Sequence, residues 1–269
     1  MKRLGANIPS YLQIANLWVQ MAYTYRVNLA MELIGLLLKI YLLKVVWIAV
    51  YAGQDVVDGI ELRHVISFIT LANLQMWLIF PMLAWHIQER IREGQIAVDL
   101  ARPVPFLGQL LANQVGGTLA FAPFVVLAVP LALFVGGLEP PASVPAGLLY
   151  LVSMVLAYLV TTLLGMLMGL IAFWTLQTGG VQSIYDFVSQ FFAGALVPLW
   201  FFPPLLLQVA KWLPFQAQAF IPLSLYMGQV PEQQIPGALG LQLFWVLALF
   251  GICWLVWQRA MRRVIIQGG

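Results

Sequence analysis

Charge is distributed along this 269-residue chain in a way that leaves one broad class of fold open. Asp, Glu, Lys and Arg are absent from residues 64–88, 103–138, 140–185, 187–210, 212–231 and 233–258. A helix needs roughly 20 mostly apolar residues to cross a bilayer, and most of these intervals are long enough. Only 9% of the residues are charged, where an average soluble domain has roughly 25%. A soluble fold of this size could not cover its surface with so few charges. The composition, 62% hydrophobic with a mean hydropathy of +0.91, therefore excludes an ordinary soluble enzyme, a nucleic-acid binder and a disordered chain. It leaves an all-α polytopic membrane protein. The net charge of +3 does not point to nucleic acid, because the 13 basic residues form no dense run and lie near the ends of apolar segments.

Apolar runs predict six transmembrane helices, near 27–51, 65–84, 106–135, 146–176, 183–202 and 239–258. Pro198, Pro203, Pro204, Pro214, Pro222, Pro231 and Pro236 crowd one further apolar stretch. Proline removes a ladder hydrogen bond and clashes with the preceding turn, so residues 203–236 read as a re-entrant hairpin and not as a seventh span. With six spans, Lys2, Arg3, Arg26, Arg90, Arg92, Arg102, Arg259, Arg262 and Arg263 share one side, and Arg63 and Lys211 lie on the other. The positive-inside rule then makes both termini cytoplasmic in an inner or plasma membrane.

Residues 1–26 read as an interfacial helix. Ile8, Tyr11, Leu12, Ala15, Trp18, Val19 and Ala22 recur at helical spacing, and Gln13, Asn16 and Gln20 lie largely off that stripe. No uninterrupted apolar core suits a signal peptide. Residues 85–94 form a second short amphipathic helix. Ile87 and Ile91 share a face, Glu89 and Arg92 stand three apart, and Gly94 suits a C-cap. This segment is either a solvated connector or a docking helix, and spacing alone leaves both open.

The motifs of soluble catalysis are missing: no Walker loop, no His-Glu-x-x-His and no Gly-x-Ser-x-Gly. His64 and His86 fall at opposite membrane surfaces, and Cys253 is a lone packing residue. The first span holds Glu32, Lys39 and Lys44. An ionisable group at the bilayer centre costs roughly 2.5–3.5 kcal/mol on insertion scales. Lys39 therefore either pairs with Glu32 or Asp186 to fix packing, or faces a path together with Lys44. Asn73, Gln75, Asp186 and Gln190 are further candidates for that path, with interhelical hydrogen bonding as the ordinary alternative. Gly165-x-x-x-Gly169 could bring two helices close. Trp200, Phe201, Phe202 and Phe215 either pack the hairpin or gate an outer exit.

The string Glu93-Gly94-Gln95-Ile96-Ala97-Val98-Asp99-Leu100-Ala101-Arg102-Pro103-Val104 resembles a segment of ABC-2-type transporter permeases. So do Gly179-Gly180 with Tyr185-Asp186-Phe187, Gly194-Ala195-Leu196-Val197-Pro198-Leu199 with Phe202-Pro203, Leu213-Pro214-Phe215, and the closing Arg262-Arg263-Val264-Ile265-Ile266-Gln267-Gly268-Gly269. The resemblance implies one transmembrane domain over residues 1–269, with six spans and a coupling helix between spans two and three. In this sequence His86, Ile87, Glu89, Arg90, Ile91, Arg92 and Glu93 occupy that helix. It also implies two copies of a separate ATPase that carries the ATP and Mg, with no cofactor on this chain. A second permease, related or identical, would complete the path among membrane lipids, without nucleic acid. The expected function is export of an amphipathic or hydrophobic substrate (a drug, a lipid or a lipid-linked glycan) by alternating access. A non-transporting scaffold subunit and an intramembrane lipid-modifying enzyme are the alternatives. The second would need a His, Asp or Glu cluster at one interface, which the sequence lacks.

Overall fold

The computed structural model describes residues 8–24, 26–175 and 179–267. The expected roles of Lys2, Arg3 and the last two glycines lie outside the described residues. The elements run α1 (Ile8–Thr24), α2 (Arg26–Tyr51), a two-stranded hairpin of β1 (Val56–Val57) and β2 (Ile60–Glu61), α3 (Leu62–Leu78), α4 (Met82–Arg92) and α5 (Ile96–Ala101). They continue with α6 (Phe106–Val135), α7 (Val144–Leu170), α8 (Gly179–Phe192), α9 (Pro204–Trp212), α10 (Phe220–Tyr226) and α11 (Ile235–Gln267).

Among the described residues, five helical stretches are long and apolar enough to cross a membrane: Val27–Tyr51, Leu62–Arg92, Phe106–Val135, Val144–Phe173 and Glu232–Arg262. The expected fifth span over 183–202 has a different form. Its helix, α8, has 14 residues and stops at Phe192. Gly194 then takes a φ of +84°, a left-handed conformation that favours glycine, and Pro198 follows. At roughly 1.5 Å per residue, α8 alone is too short for a bilayer core of roughly 30 Å.

The chain past Gly194 turns inward and comes back. Phe201 lies on Trp47 of α2, with ring centroids 4.9 Å apart. After α9, the turn at Pro214–Ala217 brings Phe215 within 6.3 Å of both Tyr185 and Phe192. Gln218 sits fully buried beside Gln75. The last residue of α10, Tyr226, then donates to the Glu139 carbonyl at 2.8 Å, far from the α8 start.

Two glycines on α7 set its contact with the preceding hairpin of helices. A Cβ at Gly165 would fall 2.4 Å from Cβ of Pro81, and one at Gly169 would fall 2.7 Å from Cδ1 of Ile87. The break at Ile79–Pro81 between α3 and α4 therefore packs directly on the Gly165-x-x-x-Gly169 face. The segment expected as one helix over 65–84 bends there, because Pro81 cannot continue α3.

Helix ends sort to two sides. Trp257 of α11 stacks on Phe106 at the start of α6, at 5.1 Å, beside α4 and α5. The opposite end gathers the β1–β2 hairpin, Ser67, Glu139 and Tyr226. Helix α1 lies along α6, where a Cβ on Gly116 would come 2.5 Å from the Ala15 carbonyl oxygen. Buried glutamines hold the interior together. Nε2 of Gln242 on α11 donates to the carbonyls of Ser153 and Ala217, and its Oε1 accepts from the Ser153 hydroxyl at 2.7 Å.

Candidate functional site

Helices α2, α3, α6 and α8 enclose a cavity of about 390 Å³, floored by Gln218. Glu32, Gly35, Leu36 and Lys39 fall at helical spacing on one face of α2 and form one wall. Trp77 and Phe80 close the α3 side, and Phe121 projects from α6. Tyr185, Asp186, Ser189 and Gln190 form the α8 wall. Glu32 and Gly35 are exposed, so the cavity opens to the outside of the chain along α2.

The polar groups in this cavity are arranged differently from the sequence expectation. Lys39 does not pair with Glu32 or Asp186. Its ammonium donates to Oε1 of Gln190. Asp186 accepts from Nε2 of Gln182 one turn earlier, at 2.9 Å, and Glu32 lines the same cavity as Trp77. Among the described residues, no ion pair forms to either carboxylate. The seven-residue spacing of Glu32 and Lys39 puts both on the cavity face, but Gln190 lies nearer the ammonium.

Of the other path candidates, Asn73 lines the cavity and donates to the carbonyls of Ile69 and Ala195, at 2.8 and 3.0 Å. Gln75 is buried away from the cavity wall and donates to the Gln218 carbonyl at 2.6 Å. Lys44 is not at the cavity either. Its Nζ donates at 3.0 Å to the carbonyl of Val135, the last residue of α6, where a cation offsets the negative end of the helix. Sequence reasoning missed Trp77, Phe121, Tyr185 and Gln218 as cavity residues. Their types fit ordinary packing, and only the tertiary fold brings them together.

The aromatic group proposed as an outer gate is packed. Trp200 meets Phe68 and Phe220 at 4.7 and 5.7 Å, and Phe202 meets Phe191 at 4.9 Å. Phe201 and Phe215 hold the contacts given above. All four pin the inward-turning segment to α2, α3 and α8.

The residues expected on the coupling helix divide between two faces of α4. Ile87 is fully buried in the main core, and Ile91 packs against that core. The apolar stripe at positions 87 and 91 is the inward face, so these two residues of the expected coupling helix belong to the core. His86 turns beneath Trp18 of α1, with rings 5.3 Å apart edge-to-face, and its Nε2 lies 3.1 Å from Nδ2 of Asn113. Arg90 is held by Asp99 through Nε to Oδ2 at 2.6 Å and by a second contact to Oδ1. Arg102 joins the same carboxylate at 3.4 Å. The expected Glu89–Arg92 pair does not form among the described residues; both side chains are exposed, and Asp99 holds Arg90 and Arg102. The exposed face of α4 consists of Trp85, Glu89, Arg92 and Glu93. Trp85 shares this exposed face although it was not among the residues singled out on the helix. Its four-residue spacing to Glu89 was the available signal.

No group of His, Cys, Asp and Glu able to hold a metal occurs among the described residues. Residues 36–268 match the family described as ABC-2 family transporter protein. None of the curated proteins compared with the chain matches it.

Proposed function

The chain belongs to the ABC-2 family of transporter proteins, of which it is a multi-pass membrane permease, and from that premise we propose that it is the membrane subunit of an ATP-driven exporter. The observation that carries this reading is the pairing of an open intramembrane cavity with a short helix, α4, that presents Trp85, Glu89, Arg92 and Glu93 outward. The helix rests on Gly169 through Ile87, so a push on its outer face is transmitted to α7 and, through the Pro81 break, to the cavity wall at Phe80.

In this reading α8 and the returning segment through α10 together make the fifth crossing and a re-entrant hairpin, with six spans in all. The termini lie on the α4 side, which is cytoplasmic, because Arg90, Arg92, Arg102, Arg259 and Arg262 collect there. Two copies of a separate ATPase dock against α4 and carry the ATP and Mg; ATP binding draws the docking helices together and switches access to the cavity. The family association with an ABC ATPase supports this partner. The open α2 side of the cavity is completed by a second permease, identical or related. The walls are largely apolar and suit an amphipathic substrate.

The test is purification of the intact chain from its native membrane in mild detergent. An ATPase with a Walker loop should accompany it in equal amount and be lost from the Glu89→Lys/Arg92→Glu double variant. Recovery without any ATPase, under conditions that preserve other membrane complexes, would overturn the exporter reading in favour of a scaffold subunit.

A further inference from the structure

The cavity sets two carboxylates, Glu32 and Asp186, against a single ammonium, Lys39. That ammonium is engaged by a neutral amide, and neither carboxylate pairs with a cation among the described residues. An unpaired ionised group at membrane depth is costly, and such residues commonly mark a ligand or ion pathway. A cationic occupant would offset that cost. Trp77, Phe121 and Tyr185 stand in the same walls, and aromatic faces attract desolvated cations. Gln218 lines the cavity as a neutral, fully buried side chain whose Oε1 accepts from Ser189 and Thr161, so this wall adds no second positive charge.

We infer that the cavity selects amphiphiles that carry a positive charge, with Glu32 and Asp186 meeting the charge and the aromatic walls holding the apolar body. This rests on the reading of the cavity as a substrate path. Lys39 opposes such a ligand, so its ammonium tunes affinity downward and Lys39→Met strengthens cation binding.

Tetraphenylphosphonium and tetraphenylborate test the inference, because they match in shape and differ in sign. Binding of each to the full chain in lipid nanodiscs is followed by tryptophan fluorescence, with protein-free nanodiscs subtracted. Tetraphenylphosphonium should bind saturably. The Glu32→Gln/Asp186→Asn variant should weaken it about tenfold or more, and Lys39→Met should tighten it severalfold. Tetraphenylborate should gain nothing from Lys39→Met. The Lys39→Met arm stands independently if the double variant fails to fold. Saturable binding of both ions that responds to none of these substitutions would overturn the charge selectivity, as would a preference for tetraphenylborate that Lys39→Met removes. If neither ion binds saturably to the wild-type chain, the cavity is not a substrate path and both readings fall.

Discussion

Gly165 and Gly169 let α7 approach the α3–α4 break to a distance that no side chain would allow. At Gly165 an added methyl would overlap Pro81 at 2.4 Å, and overpacking of this kind costs roughly 1–3 kcal/mol. Gly165→Ala should therefore lower the melting temperature of the purified chain by several degrees. Gly240→Ala, where no atom lies within 4 Å, should leave it unchanged or slightly raised. An unaltered melting point for Gly165→Ala would show that this contact is looser than described. Gln242 provides a polar counterpart. Gln242→Leu removes hydrogen bonds to Ser153 and Ala217 and leaves the Ser153 hydroxyl without its acceptor. Interhelical bonds in membranes average about 0.6 kcal/mol each, so a loss of about 2 kcal/mol is expected, read as faster unfolding in a detergent-stability assay.

At the scale of elements, uninterrupted apolar length was what the sequence made legible. Helix α6 runs over Phe106–Val135 as expected, despite Pro123 and Pro130, because nothing else in 103–138 could end it. The close-packing face of α7 was equally readable from its two glycines. What hydropathy could not locate was a turn within an apolar run. Leu196, Val197, Leu199 and Trp200 look as apolar as the helix before them, and the chain leaves α8 at Phe192 because of Gly194. The β1–β2 hairpin escaped notice because two-residue strands carry no periodicity. The amphipathicity of α4 was visible, and the structure adds that Ile87 and Ile91 form its inward side. The apolar stripe of this short helix faces its own core, and the exposed side is the charged one with Trp85. For α1 the contact with α6 gives a direct expectation. Gly116→Leu should lift α1 away from α6 and expose residues 8–24 to added protease, whereas Gly251→Leu, in open space, should not.

Across the whole molecule, the cavity and helix α4 adjoin the same short break in the chain. Both contact the segment Phe80–Pro81, and α7 backs it through Gly165. The cavity between α2, α3, α6 and α8 depends on residues more than 100 positions apart, such as Lys39 and Gln190. That long-range pairing explains why ionisable residues could be recognised as unusual in the sequence while their partners could not be assigned. Cys253 is the single cysteine and is buried, so introduced cysteines can be labelled against a quiet background. If the termini share the α4 side, a cysteine replacing Glu93 should label only from the cytoplasm, and one replacing Gln54 only from outside. The reverse pattern would invert the assigned orientation.

The central claim is that a separate ATPase drives this chain through the outer face of α4. A photo-crosslinking residue placed at Trp85 in the intact cell tests it most directly, with the same residue at Trp212 as a control, since both positions are exposed. The account predicts that position 85 captures a polypeptide containing a Walker loop and that position 212 does not. Capture of that ATPase from position 212, or a Trp85 crosslink that never contains an ATPase, would contradict it.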